Sequence, residues 1–113
     1  MTMTITEEKK DGFVVVALNG KLDATNAPEL QGKLLGLIDG GSNSMVIDCS
    51  ALDYVSSAGL RVFLMTAQKM EETDGKLGLA GVQELIKDVF DMAGFDVMFE
   101  FYPSPAEAIS GLA

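Results

Sequence analysis

The chain has 113 residues, which suits one domain with a modest core, and its hydrophobic content of 48% is too high for a disordered chain. Seventeen acidic residues against eight basic ones give a net charge of -9. This balance argues against a protein that binds nucleic acid or an anionic membrane, because contacts to phosphate groups need clustered Lys and Arg. We therefore expect a single domain over residues 1–113 that binds neither.

The N-terminal segment and the single cysteine favour a cytoplasmic protein. Residues 1–11 lack a basic segment followed by an apolar one, so they are not typical of a signal peptide. The longest apolar run, residues 13–18, is far too short to span a bilayer. Cys49 has no partner for an internal disulfide, and we interpret it as a small core residue in a reducing compartment.

The first half of the chain predicts a hairpin, a helix and a third strand. Residues 3–8 and the β-branched run 13–18 flank an Asp-Gly turn, which is typical of two paired strands. Asn26 is a candidate cap for a helix that ends at the glycine pair 40–41 and has one apolar face. That face comprises Ala27, Leu30, Leu34, Leu37 and Ile38. Residues 44–48 predict a short buried strand that ends in a polar turn.

The next segment predicts two helices separated by a strand. The first helix starts at the serine pair Ser56-Ser57, ends at Asp74-Gly75, and is followed by a strand over residues 76–82 and a helix over residues 83–93. The first helix should turn Leu60, Phe63, Leu64 and Ala67 toward the core, and the second should turn Leu85, Ile86, Val89 and Met92 inward.

The C-terminal segment predicts one more strand and a short helix. Residues 95–101 alternate, with Phe95, Val97, Phe99 and Phe101 on one side, which is typical of a half-exposed strand. Ser104 and Glu107 form a capping box that opens the last helix. The complete order is β-β-α-β-α-β-α-β-α, and strands that alternate with helices indicate an α/β fold with a largely parallel sheet.

Several enzymatic chemistries need residues that this chain lacks. It has no histidine, which removes Ser-His-Asp and Cys-His catalysis and most zinc sites. Ser57 falls at a strand-to-helix turn, but the hydrolase pattern G-x-S-x-G fails because Val55 occupies its first glycine position. No phosphate-binding loop of the form G-x-x-x-x-G-K-[ST] occurs. We expect no enzymatic activity, no cofactor and no metal.

The serine pair admits a structural and a regulatory interpretation. The structural one is that Ser56 or Ser57 only caps the helix, which is worth about 1 kcal/mol. The regulatory one is that the pair is modified, since the small residues Ala58 and Gly59 leave the turn open to an approaching protein. A phosphate at a helix N-terminus is tolerated by the free N–H groups and the helix dipole.

We expect a protein-binding surface beside this turn. Arg61, Val62 and Met65 fall on the side of the helix away from its predicted core stripe, and an exposed Val and Met next to an Arg suit a partner contact. Val62 is buried instead if two layers cover that helix. A phosphate would switch binding without changing the fold, because burying an unpaired charge in a complex is costly. Asp23 or Asp53, if close, would add repulsion.

Three segments taken in order resemble a known family. Residues 20–23 (GKLD), 46–50 (VIDCS) and 54–60 (YVSSAGL) are similar to the STAS domain of the anti-sigma factor antagonist group. The resemblance covers nearly the whole chain and implies a small mixed sheet of four to five strands with four helices and no enzymatic activity.

The resemblance also implies a regulatory cycle. Members of this family bind an anti-sigma factor that is itself a GHKL-type serine kinase, and this binding frees a sigma factor. The kinase phosphorylates the antagonist and so inactivates it. A PP2C-type phosphatase removes the phosphate and restores the antagonist. The family pattern D-S-[ST]-G-L-G, aligned on Gly59-Leu60, puts the phosphoacceptor at Ser57, with Ser56 as the rival acceptor in place of the family's Asp. Asp23 matches an acidic position near the same surface, and Arg61 stands where the family often has glycine.

Two other functions remain open from sequence. One is a STAS scaffold or transport-system subunit that no kinase regulates, which a stable complex indifferent to phosphorylation would indicate. The other is a nucleotide-binding protein or enzyme, which the missing histidine and phosphate loop disfavour. Sequence does not identify the sigma factor, the kinase or the phosphatase.

Overall fold

Five strands form one sheet in the spatial order β1-β2-β3-β4-β5 in the computed structural model, which describes residues 3–113. The strands are β1 (Met3–Lys10), β2 (Phe13–Leu22), β3 (Ser44–Val55), β4 (Lys76–Ala80) and β5 (Glu100–Tyr102). The helices are α1 (Ala27–Asp39), α2 (Ser57–Glu72), α3 (Glu84–Met92) and α4 (Pro105–Leu112), and a 3₁₀ turn covers Asp96–Met98. The predicted fold class and element order are confirmed.

The sheet is mixed because only its first connection is a hairpin. β1 pairs antiparallel with β2 through a turn in which Asp11 and Gly12 have φ of 54° and 85°. Every later pair is parallel, as helical crossovers require. All carboxyl ends of β2, β3, β4 and β5 therefore meet at one edge of the sheet.

The two faces of the sheet are covered unequally. Alternate residues of β2 and β3, such as Val16 and Ile47, pack with α1, α2 and α3 into the larger core. The intervening residues, such as Val15 and Val46, pack with α4 into a smaller one. Cys49 lies in the larger core, and burial raises the pKa of its thiol, in agreement with a core role.

A cluster of phenylalanines fills the core between α2, α3 and β5. Phe63 and Phe90 meet edge to face with centroids 5.3 Å apart, and Phe99 meets Phe90 at 5.5 Å in the same manner. Phe101 joins the cluster 5.9 Å from Phe90. These contacts tie the C-terminal segment to the two preceding helices.

The predicted strand over residues 95–101 is wrong for its first half. Gly94, at φ 76°, reverses the chain, and the Phe95 N–H donates to the Phe90 carbonyl at 2.9 Å. The 3₁₀ turn then exposes 86% of Val97, so only the end of the segment pairs with β4. The alternating pattern misled because Phe99 is buried by the aromatic cluster and not by membership of a strand.

The inward face predicted for α3 is also partly wrong. Ile86 is buried and Val89 half-buried, but Leu85 is 80% exposed and Met92 is 87% exposed. Phe90 takes the central inward position because it completes the aromatic cluster. The buried face of α3 is therefore narrower than the distribution of its apolar residues predicts.

β3 is longer than predicted, since the polar turn expected after Asp48 does not form. The strand continues to Val55, and the β2–β3 ladder absorbs this length through register shifts between Ala17 and Asn19 and between Gly20 and Lys21. The continuation carries the chain directly to the serine pair.

The two residues Phe90 and Met92 provide a matched test of this core. We expect Phe90→Ala to lower the free energy of unfolding by about 3–5 kcal/mol, because it empties the centre of the aromatic cluster. Met92→Ala, on the same helix but exposed, should stay within about 0.5 kcal/mol of wild type. Urea denaturation measures both, and equal losses would contradict the packing described.

Candidate functional site

The serine turn lies where β2 and β3 end side by side. Leu22 and Val55 are paired in the parallel ladder, and the Ser56 N–H donates to the Leu22 carbonyl at 2.9 Å. Asp23 is the next residue along β2 and Ser57 the first residue of α2. The expected proximity of Asp23 to the serine turn follows from this register.

The two serines have different structural roles. Ser56 is the N-cap of α2, and its half-buried side chain accepts a hydrogen bond from the Gly59 N–H at 3.2 Å. Ser57 is exposed at the first helical position, beside the free N–H groups of the helix end. The cap function and an accessible hydroxyl are therefore divided between the two residues.

The backbone of Gly59 is the close contact between α2 and the sheet. A Cβ at this position would lie 2.7 Å from Cγ of Leu22 and 2.8 Å from Cγ2 of Val55, closer than packed atoms approach. Gly59 is buried, so the expectation that it belongs to the partner-binding surface is wrong. Its role is to let the helix approach the strand ends.

The loop after β2 holds Asp23 in a fixed, ionised form. The Thr25 hydroxyl and the Thr25 N–H both donate to Oδ1 of Asp23, at 2.5 and 2.9 Å. These hydrogen bonds hold the pKa of the Asp23 carboxyl below its usual value, since they favour the charged form. A negative charge thus stands beside the serine turn.

Asn26 precedes α1 but does not cap it with its side chain, contrary to prediction. Its Oδ1 accepts from the Asp23 N–H at 2.9 Å, and its Nδ2 donates to the Lys21 carbonyl at 2.8 Å. These two hydrogen bonds hold the loop against the end of β2 and so fix the position of Asp23.

The predicted partner residues along α2 differ in exposure. Arg61 is exposed, Ala58 and Met65 are half-buried, and Val62 is only 3% exposed. Of the two positions left open for Val62, the buried one is correct, because α1 covers that side of α2 and Val62 joins the larger core. Val62 is therefore not an exposed contact residue. Among Ala58, Arg61, Val62 and Met65, the exposed surface therefore comes from Arg61 and from parts of Ala58 and Met65.

A notch of about 170 Å³ separates α1 from α2 beside the serine turn. Its walls are the small residues Ala24, Ala27, Pro28 and Ala58, with Gln31, Arg61 and Val62 completing the lining. Sequence reasoning missed the α1 side of this notch because no local pattern indicates which helices will be neighbours.

A second, more apolar groove lies between the end of β3 and α3. Tyr54, 48% exposed, and Leu85, 80% exposed, line it together with Val55, Ile86, Val89 and Asp53. Asp53 is exposed and forms an ion pair with Lys21 at 3.2 Å. The exposed Tyr54 and Leu85 were not among the predicted partner residues.

Ser57 presents an exposed hydroxyl at the start of α2. The chain contains no histidine to activate Ser57, while the exposed hydroxyl at a helix N-terminus suits an added phosphate. Of the described residues, no helix has the length and apolar character needed to cross a membrane.

Comparison with known proteins identifies the family of the chain. The family model for the STAS domain matches residues 4–108. The chain belongs to the STAS domain family. The protein BtrV of Bordetella bronchiseptica, provisionally named an anti-sigma factor antagonist, is 36% identical to this STAS domain over 97 residues, covering 86% of this chain and 84% of BtrV.

Solved structures of anti-sigma factor antagonists superpose over nearly the whole chain. An anti-sigma factor antagonist from Mycobacterium paratuberculosis is 25% identical, with a TM-score of 0.90 over 98% of this chain and 94% of that one. The anti-sigma factor antagonist SpoIIAA of Bacillus, 20% identical, is solved unphosphorylated (TM-score 0.81, 96% of this chain and 95% of SpoIIAA) and phosphorylated (TM-score 0.77, 97% and 100%). The SpoIIAA likeness concerns the fold.

The division of roles between the serines can be tested through stability. Ser56→Ala should lower the free energy of unfolding by about 0.5–2 kcal/mol, because it removes the acceptor for the Gly59 N–H. Ser57→Ala should change it by less than about 0.5 kcal/mol, since Ser57 is exposed and is not the cap. Thermal and urea denaturation measure both free energies. A larger loss of stability in Ser57→Ala than in Ser56→Ala would show that Ser57, and not Ser56, is the cap.

The Thr25–Asp23 contact predicts a pKa effect. Thr25→Val removes the hydroxyl donor, so the pKa of Asp23 should rise toward its ordinary value, though not fully because the residue-25 N–H remains. Carboxyl-detected NMR titration follows Asp23 directly. Thr73→Val is the control, because the Thr73 hydroxyl donates to the Met70 carbonyl and to no carboxylate; an equal shift in both variants would contradict the assignment.

Proposed function

We propose that this STAS protein is an anti-sigma factor antagonist controlled by phosphorylation at Ser57. Unphosphorylated, it binds an anti-sigma factor serine kinase of the GHKL type and so releases a sigma factor. The kinase inactivates it by transferring a phosphate to Ser57, and a PP2C-type phosphatase restores it. The proposal has the protein act in the cytoplasm as a binding module and not as an enzyme.

The observation that carries the proposal is the accessibility of Ser57 next to an independent cap. Because Ser56 accepts from the Gly59 N–H, a kinase can modify the exposed Ser57 hydroxyl without removing the cap of α2. Ser56 is the weaker acceptor candidate, since its side chain is half-buried and already engaged. The names of the relatives supply the anti-sigma factor context.

Electrostatics supports a switch that acts on binding and leaves folding intact. A phosphate adds about −1.5 to −2 charges at neutral pH. At the exposed start of α2, water and the helix N–H groups solvate that charge. A partner that covers both Ser57 and the ionised Asp23 would have to bury the phosphate beside the Asp23 carboxylate. Burying two negative charges together weakens the complex. A solved SpoIIAA carrying a phosphate supports the view that this fold accommodates one.

The test is to combine the protein with a GHKL-type serine kinase from the same genome. Binding is measured by calorimetry without ATP, and the phosphate is located by peptide mass spectrometry after ATP is added. We expect one phosphate on Ser57, none in Ser57→Ala, and continued phosphorylation of Ser56→Ala at Ser57.

The variant Ser57→Asp should bind the kinase at least about tenfold more weakly while its melting temperature stays near that of wild type. Ser110→Asp, at an exposed serine of α4, is the matched control and should bind like wild type. Phosphate found elsewhere, or a stable complex with a transporter or scaffold that ignores phosphorylation, would refute the proposal.

A further inference from the structure

Arg61 is the single arginine of this acidic chain and one of the basic residues without an ion pair. Within residues 3–113 the ion pairs are formed by Lys21, Lys33, Lys69 and Lys87 with neighbouring carboxylates. Arg61 is exposed and belongs to none of these pairs, although acidic residues outnumber basic ones by seventeen to eight. An unpaired guanidinium in such a chain is available to an outside carboxylate.

The notch between α1 and α2 adjoins Arg61 and has the size of a single side chain. Its volume of about 170 Å³ lies below the roughly 300–1,000 Å³ of small-molecule pockets. Val62 and Ala27, which are 3% and 4% exposed, form an apolar base that is already shielded from water. An entering apolar side chain would therefore gain contacts without reorganising the helices.

The position of Ser57 links this surface to the switch. Ser57 and Arg61 are four residues apart on α2, so their side chains are neighbours on one face, with about 5–6 Å between Cβ atoms. Helical side chains also lean toward the N-terminus, which directs Arg61 toward Ser57. A phosphate on Ser57 would lie within reach of the guanidinium and match its bidentate geometry.

We propose that Arg61 and the notch form one docking site for the kinase, and that phosphate on Ser57 closes this site by pairing with Arg61. In the unphosphorylated protein, the kinase inserts one apolar side chain into the notch and pairs an adjacent carboxylate with Arg61. After phosphorylation, the guanidinium is held by the phosphate and the kinase carboxylate faces a negative charge. This docking site rests on the proposed function and specifies the chemistry of its partner.

The first experiment fills the notch. Ala58→Leu should weaken kinase binding by about tenfold or more, measured by calorimetry, because the larger side chain occupies the space of the incoming one. Ala67→Leu is the matched control: Ala67 is also half-buried on α2 but lies nine residues, about 13 Å, further along the helix. Its affinity should stay within about twofold of wild type. Melting temperatures establish that both variants are folded.

The second experiment reverses the charge. Arg61→Glu should weaken binding by about tenfold or more, whereas Lys76→Glu, which changes the net charge equally at the start of β4, should not. Acidic residues of the kinase are then changed one at a time to Lys. One such change should restore binding to Arg61→Glu and weaken binding to wild type.

The third experiment follows the phosphate itself. The second pKa of the Ser57 phosphate, measured by ³¹P NMR, should be lower in wild type than in Arg61→Gln, because a neighbouring guanidinium favours the dianion. Lys69→Gln, about two turns beyond Arg61 on α2, should leave this pKa unchanged. Equal titration of the phosphate in wild type and Arg61→Gln would refute the pairing.

The remaining outcomes separate this inference from the proposed function. If Ser57→Asp loses kinase binding while Ala58→Leu and Arg61→Glu bind like wild type, the docking site is wrong and the proposed function stands. If the unmodified protein binds no GHKL-type kinase, both the docking site and the proposed function are refuted. If the notch variants alter self-association in sedimentation instead of kinase binding, the occupant is a second copy of this chain and the inference is overturned.

Discussion

The site depends on the contact between the backbone of Gly59 and the side chains of Leu22 and Val55. No Cβ fits there, since it would lie within 2.8 Å of both side chains. The hydrogen bond from the Ser56 N–H to the Leu22 carbonyl fixes the same junction. Because Leu22 and Val55 are also paired in the β2–β3 ladder, these contacts set the height and direction of α2 above the sheet edge. The exposure of Ser57 and the position of Asp23 directly after the paired residue Leu22 are consequences of this junction.

A rigid junction explains why a charge could change binding without changing the fold. The helix start is held by Ser56, by Gly59 and by the apolar contacts of Leu60 and Phe63, all of which leave the Ser57 side chain outside. A phosphate would therefore meet water and N–H groups in the free protein and an opposing surface only in a complex. The ionised Asp23 adds to the difference between the free and the bound state, because its charge is already fixed by Thr25.

The elements of the fold could be predicted wherever a local pattern decides them. The stripe of Leu30, Leu34 and Ile38 predicted α1 because helical period alone puts these residues on one side. The exposure of Leu85 and Met92 could not be predicted, since it depends on which parts of α3 the phenylalanine cluster covers. The burial of Val62 could not be decided from sequence for the same reason, because the periodicity of α2 does not show that α1 packs on it.

The candidate site could likewise be predicted only where its residues lie close together in the sequence. Sequence indicated the serine pair and Arg61, because they fall within one short segment, but the cap was assigned to Ser56 only by the hydrogen bond from the Gly59 N–H. The notch is formed by residues on both sides of the gap between α1 and α2, and no local sequence pattern indicates it.

In a chain of net charge -9, simple repulsion by an added phosphate would be long-ranged and weakened by salt. A guanidinium one helical turn away responds locally instead, so the proposed pairing would make the switch less sensitive to ionic strength than repulsion alone.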